Sequence, residues 1–178
     1  IGKLDGGAEV YLVEDLTAAH CRAGIAEACA RLASIEADGV RQAARQCLDA
    51  LAGCGCLERG AVALYQPESR SVQVVAAGPG QDEAWRRCVA GQQGALMEVV
   101  RSGQVRCIEC DGADVMAVAV PLGERVPAMG VLVAWPPWIL MRPEGRHVAP
   151  AVAEAIRRGL RAQRGEGRRI AAETAYTA

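Results

Sequence analysis

The segment that decides the fold runs from Val115 to Trp135 and reads Val-Met-Ala-Val-Ala-Val-Pro-Leu-Gly-Glu-Arg-Val-Pro-Ala-Met-Gly-Val-Leu-Val-Ala-Trp. Two apolar runs of strand length flank a polar turn centred on Gly123, Glu124 and Arg125. Short runs of small and β-branched residues bounded by Pro and Gly are typical of buried strands. Two such runs joined by a few turn residues predict a buried β-hairpin.

The composition is that of one globular domain with helical extensions. The chain has 178 residues, of which 51% are hydrophobic, and it contains no Phe. A net charge of -1 argues against a nucleic-acid-binding surface over the whole domain. No apolar run reaches about eighteen residues, so we expect no membrane span. Because no secretory signal is visible, we expect eight reduced cysteines in a bacterial cytoplasm.

Apolar spacing divides the chain into helices and strands around this hairpin. Residues 1–13 are rich in Gly at first and predict a flexible lead-in, and residues 165–178 predict a frayed tail. Apolar residues at helical and alternating spacing predict the remaining elements. The predicted helices are 14–34, 40–52, 82–90, 94–102 and 149–164, and the predicted strands outside the hairpin are 60–65, 71–77 and 105–108.

Together with a helix start at Gly91 and Gly94, four motifs stand in a characteristic order along residues 32–164, and the last two of these motifs lie within the hairpin. They are Gly60-Ala-Val-Ala-Leu-Tyr65, Ser102-Gly-Gln-Val105, Val118-Ala-Val-Pro-Leu122 and Met129-Gly-Val-Leu-Val133. Their order and spacing resemble those of GAF domains. The resemblance implies an α/β (α+β) fold with a mixed, mostly antiparallel sheet. It further implies that the N- and C-terminal helices cover one face and that a ligand pocket lies on the other.

GAF domains are mostly sensory modules, so the resemblance implies a receptor and not an enzyme. Residues 14–164 would bind an unidentified small molecule and pass the change through the flanking helices of a homodimer to an output domain or partner protein. We expect the dimer to form through the N-terminal helix and the helix that carries Val152, Ile156 and Leu160. Six residues lie in segments that would line the pocket, although core packing is the alternative for each. They are Trp85, Cys88, Met97, Cys107, Cys110 and Met116.

Cysteine spacing raises a second hypothesis, a redox or metal sensor. Cys54-Gly-Cys56 is a C-x-C pair and Cys107-Ile-Glu-Cys110 is a C-x-x-C pair. Four thiolates of this kind could hold a zinc ion tetrahedrally or an iron–sulfur cluster, provided that the two pairs meet in space. The alternative is that the cysteines are separate reduced thiols, each packed as a small hydrophobe.

A third hypothesis concerns Cys110 alone. Ile108-Glu109-Cys110-Asp111, followed by Val118-Ala-Val-Pro-Leu122, resembles the segment that carries the catalytic thiol in free methionine-(R)-sulfoxide reductases. The resemblance implies that a Cys110 thiolate attacks the sulfoxide sulfur and that a second cysteine then closes a disulfide. The chain departs from that family because Gln93-Gly94-Ala95 stands where the family has further cysteines. Catalysis would require an exposed Cys110.

Overall fold

The computed structural model describes residues 5–79, 83–110 and 115–176. Within these ranges the chain forms six α-helices, five strands and one 3₁₀ helix. In chain order they are α1 (Asp5–Ala33), α2 (Val40–Gly53), β1 (Arg59–Gln66), β2 (Ser71–Gly78), α3 (Glu83–Gly91), α4 (Gln93–Ser102), β3 (Arg106–Cys110), β4 (Val115–Leu122), β5 (Gly130–Trp135), α5 (Trp138–Met141), the 3₁₀ helix (Pro143–His147) and α6 (Val148–Tyr176).

The five strands form one sheet in the order β2-β1-β5-β4-β3. The predicted hairpin is its centre: β4 and β5 pair antiparallel, with Leu122 opposite Gly130. Each of the other pairings in the described sheet is antiparallel too. Gly130 is required at the start of β5, because a Cβ there would collide with the backbone oxygen of Ala63 on β1. The glycine therefore lets β5 and β1 approach each other.

Side chains that alternate along the strands divide the core between two faces of the sheet. The terminal-helix face is covered by α1, α2 and α6, and it receives strand residues such as Val118 and Leu132. The short-helix face is covered by α3 and α4, and it receives their neighbours, such as Ala117 and Val133. This division confirms the predicted arrangement of the terminal helices on one face.

The ends of the two terminal helices differ from the prediction. Helical backbone begins at Asp5 and so crosses most of the predicted lead-in of residues 1–13. At the other end, α6 continues to Tyr176 through the predicted tail of residues 165–178. Ala, Glu, Arg and Leu favour helices, and no Pro interrupts either extension. The lack of an apolar stripe therefore did not prevent helix formation there.

The helix predicted to take part in a dimer, α6, uses two of the three residues of its predicted apolar stripe within the same chain. Val152 and Ile156 are fully buried in the same chain, where they pack with Leu32 of α1 and Leu48 of α2. The apolar stripe of α6 is therefore used largely within the domain. Leu160, the third predicted residue, is partly exposed.

Candidate functional site

The short-helix face, where the resemblance places a ligand, has a core of small side chains around one large ring. Trp85 of α3 is fully buried, and Val89, Leu96 and Val99 pack with it against the sheet. Ala61 and Ala63 on β1 provide room for these side chains. The face is therefore filled largely by side chains of α3 and α4, within the described residues.

Two adjacent glutamines fasten α4 to both edges of the sheet. Gln93 donates from Nε2 to the carbonyl oxygen of Val72 (2.6 Å), and its Oε1 accepts from the Val72 amide (3.1 Å). Gln92 donates from Nε2 to the carbonyl oxygen of Glu109 (2.8 Å). Val72 lies on β2 and Glu109 on β3, the two edge strands of the described sheet. Edge strands expose unpaired backbone groups, and these side chains pair with some of them.

The predicted ligand residues do not lie on one face. Trp85 and Cys110 belong to the core of the short-helix face, and Cys88 and Met97 pack against it. Cys107 and Met116 are exposed, and the register of β3 with β4 places their side chains on the opposite, terminal-helix face. Residues an odd number of positions apart on a strand point to opposite faces. Cys107 and Met116 therefore do not share a face of the sheet with the other four predicted ligand residues.

The same alternation separates the C-x-x-C pair. Cys110 is buried under α3 and α4, whereas Cys107 is exposed on the other side of β3. Cys56 packs in the core of the terminal-helix face, so the sheet lies between it and Cys110. Among the described residues, no three His, Cys, Asp or Glu side chains are grouped to hold a metal ion. The predicted site of Cys54, Cys56, Cys107 and Cys110 is therefore not assembled.

The C-x-C pair owes its position to the end of α2. Gly55 has φ +68°, the left-handed conformation that favours glycine. The amide of Gly55 donates to the carbonyl oxygen of Ala52 (2.9 Å), and the amide of Cys56 donates to the carbonyl oxygen of Leu51 (2.8 Å). Together these bonds form a Schellman motif, which terminates a helix by satisfying its last carbonyl groups. Cys54 and Cys56 thus flank the turn that connects α2 to β1.

A different set of thiols surrounds Cys56. The pKa of Cys56 is raised to about 11, first by burial and then by the neighbouring thiols of Cys54, Cys29 and Cys21. Cys21 and Cys29 lie on α1 and are partly exposed, as is Cys54. Spacing along the chain does not indicate this cluster, because the cysteines come from two elements. Only the packing of α1 on the α2–β1 turn brings them together.

Cys110 does not meet the requirement of the reductase hypothesis in this conformation. Its exposed fraction is 1%, and it lies beneath the α3–α4 layer. Asp111, the last residue of the resembling segment, lies outside the described residues. A sulfoxide would reach the sulfur only if this layer opened.

A groove of about 800 Å³ lies beside α6 at one end of the sheet. Met129 and Leu160 form part of its apolar lining, and Arg125 and Arg164 lie among its charged residues. Arg157 also borders it but is paired with Glu154 at 3.2 Å. The predicted ligand residues do not line this groove, since it lies near the turns and α6.

In the described part of the chain, no helix combines the length and apolar character needed to cross a membrane. No protein-family model matches the sequence, and no curated protein matches it.

Solved structures share the fold. The GAF domain of a phosphoenolpyruvate-protein phosphotransferase from Acinetobacter is 13% identical, with a TM-score of 0.53 over 75% of this chain and 90% of that one. A GAF domain/HD domain protein from Geobacter sulfurreducens is 14% identical, with a TM-score of 0.52 over 70% of this chain and 94% of that one. A methyl-accepting chemotaxis protein is 16% identical, with a TM-score of 0.52 over 74% and 95%. The chain therefore has a GAF-like fold.

Proposed function

We propose that this chain is a sensory or regulatory domain that binds a small molecule on the short-helix face. The change would reach an output domain or partner protein through α1 and α6, with the chain acting as a homodimer. The fold supports this proposal, since a GAF domain from a phosphotransferase and a structure from a chemotaxis protein share it. An enzymatic role has less support because Cys110, the candidate nucleophile, is buried.

The observation that carries the proposed relay is the direct contact between the two terminal helices. Arg158 of α6 donates from Nη2 to the carbonyl oxygen of Leu32 near the end of α1 (2.7 Å). One residue further on, a Cβ at Gly159 would lie 2.9 Å from the backbone oxygen of Gly39, which precedes α2. A shift of α6 relative to the sheet therefore has to displace α1 or α2.

Both terminal helices are long enough to act beyond the core. Each has 29 residues, and a helix of that length spans about 43 Å. The buried apolar side chains of α6 end at Ile156 and its last described buried residue is Gly159, so the helix continues past the part that packs on the domain. These extensions are the surfaces through which we propose that two copies associate.

Native mass spectrometry of the chain purified anaerobically from its own host tests this proposal. We expect a dimer that carries additional mass from a bound small molecule. Denaturing the same sample should release that mass and return the sequence mass. A monomer would contradict the dimer, and a dimer without added mass after such purification would contradict the ligand-binding role.

The location of the ligand is tested with two matched variants. Met97→Ala changes a partly buried residue that packs on the short-helix face, and Met116→Ala changes an exposed residue on the opposite face. We expect Met97→Ala to lower the occupancy of the bound molecule and Met116→Ala to leave it unchanged. Equal occupancy in both variants would contradict binding at this face.

A further inference from the structure

In the Cys54-Gly55-Cys56 turn, a single glycine separates two cysteines along the chain. The Cys56 Sγ lies 3.9 Å from the carbonyl oxygen of Cys54, so its side chain points back towards the first cysteine. Cys54 is partly exposed, whereas Cys56 is 2% exposed and belongs to the core of the terminal-helix face. One thiol is thus open to a reagent in solution, and the second lies behind it.

Helix α1 packs against this turn with no free space between them. A Cβ built at Gly24 would lie 2.7 Å from the backbone oxygen of Cys54. Contacts this short do not occur for real Cβ atoms, so only glycine fits on α1 at this point. Any movement of the Cys54 carbonyl towards α1 must therefore displace the helix.

We infer that Cys54 and Cys56 are a thiol modification site, at which a peroxide closes a reversible disulfide that displaces α1. The effect on signalling rests on the proposed relay through α1, whereas formation of the disulfide is independent of that relay. No metal ion is needed, which agrees with the absence of a grouped ligand set among the described residues.

The reaction balances with one peroxide as the two-electron oxidant. The Cys54 sulfur attacks hydrogen peroxide, an S–O bond forms, the O–O bond breaks and one water leaves, which gives a sulfenic acid. The Cys56 sulfur then attacks the sulfenic sulfur, an S–S bond forms and the S–O bond breaks. The hydroxide that leaves takes the Cys56 proton as the second water, and a thiol reductant later reverses the bond.

The disulfide would change the backbone of the turn. Its sulfurs must come to about 2.05 Å, and the ring would close across Gly55 alone. The present turn is fixed by the Gly55–Ala52 and Cys56–Leu51 hydrogen bonds. Closing so small a ring requires new dihedral angles at residues 54–56, and these angles move the Cys54 carbonyl that contacts α1. The glycine between the cysteines supplies the conformational freedom for that change.

Oxidation of the reduced 178-residue chain with hydrogen peroxide, followed by alkylation and mass spectrometry, tests the inference. We expect the loss of two of the eight thiols, with both in the tryptic peptide from Gln46 to Arg59, and recovery with dithiothreitol. Because that peptide also contains Cys47, the assay is repeated on Cys47→Ala, which should still form the bond. Cys54→Ser should abolish it, and the matched control Cys107→Ser, at an exposed cysteine on β3, should not.

Hydrogen exchange measures the coupling to α1 separately. In the oxidised protein we expect faster exchange of residues 19–33, which returns to the original rate after reduction and is absent in Cys54→Ser. A bond from Cys54 to Cys29 or Cys47, or sulfinic acid without a disulfide, would overturn the pairing. A disulfide that leaves exchange in α1 unchanged would overturn the displacement. Formation of the disulfide does not depend on ligand binding or dimerisation, so failure of the proposed function would be recognised separately.

Discussion

The two faces of the sheet are stabilised in different ways. On the terminal-helix face, large aliphatic side chains such as Leu32, Leu48 and Ile156 come from three helices and are fully buried. On the short-helix face, the strands contribute mainly Ala and Val, and Trp85 is the one large ring among its described buried residues. Side chains of Gln92 and Gln93 supplement that packing with hydrogen bonds to the sheet edges.

This difference bears on how a signal could pass through the molecule. A layer that is held by few large buried side chains and by side-chain hydrogen bonds at the sheet edges opens at a lower free energy than a continuous aliphatic core. In the proposed function, the α3–α4 layer would open to admit the ligand while α1, α2 and α6 stay packed. On this view the sheet separates a face that opens from a face that transmits.

The largest loss of stability should come from truncating two neighbouring residues on β5 whose side chains point to opposite faces of the sheet. Leu132 lies on the terminal-helix face and Val133 on the short-helix face, and both are fully buried. We expect Leu132→Ala to lower the free energy of unfolding by about 3 kcal/mol, and Val133→Ala by roughly 2 kcal/mol because fewer carbon atoms are removed. Urea denaturation gives both values. A larger loss for Val133→Ala would contradict the comparison of the two faces.

A smaller effect is expected where α1 meets the α2–β1 turn. Gly24→Ala places a Cβ against a backbone oxygen that cannot rotate away, so we expect a loss of about 1–3 kcal/mol. The matched control is Gly165→Ala on α6, where a Cβ would meet nothing within 4 Å. This control should gain about 0.5–1 kcal/mol, since Ala favours helix over Gly. Thermal denaturation measures the stability of both variants. Equal stabilities would exclude a close contact at Gly24.

Removal of the Gln93 side chain should cost less still. Gln93→Ala removes two hydrogen bonds to Val72, and we expect a loss of about 1 kcal/mol because water can replace them at the sheet edge. Chemical denaturation gives the value, with exposed Gln104→Ala as the control. A loss no greater than that of the control would show that the glutamine does not fasten α4 to β2.

The smallest effect is a pH dependence that arises on the terminal-helix face. Burial raises the pKa of Cys47 to about 12 and that of Cys56 to about 11, from 9.0 for a thiol in the unfolded chain. Above pH 9 the unfolded chain loses these protons first, so stability is complete below pH 9 and falls as pH rises towards 11. Linkage predicts a loss of about 0.4 kcal/mol per thiol at pH 9.

Urea midpoints at pH 8 and pH 9 measure this loss. Cys47→Ala should reduce the difference between the two midpoints, because it removes one of the buried thiols. A midpoint that rises with pH would contradict the sign of the linkage.

The sequence predicts the fold because the local apolar patterns of its helices and strands agree with how these elements pack in the structure. Val115–Trp135 has alternating small residues, a Pro-Leu end and a Gly start, and each of these has one structural role in the β4–β5 hairpin. The apolar positions of α2, such as Ala43 and Leu48, are buried as their spacing predicts. These features depend on neighbours in the chain, so the sequence is sufficient to find them.

The candidate site is less predictable because it depends on which elements meet. Cys107 and Cys110 are close in sequence, but a strand places their side chains on opposite faces. Cys29 and Cys56 are far apart in sequence, but the packing of α1 places them in one core. The hydrogen bonds of Gln92 and Gln93 depend on the position of α4 across the sheet. Two adjacent glutamines at the start of a helix do not by themselves indicate that position.

The most direct test of the division between the two faces is native-state hydrogen exchange of the 178-residue chain, followed by mass spectrometry. We predict that amides of α3 and α4 exchange through openings of lower free energy than those of α2 and β5. The openings of α3 and α4 should also respond to Gln93→Ala while those of α2 do not. Uniform protection of both faces, or earlier opening of α2, would contradict a sheet that separates a face that opens from a face that transmits.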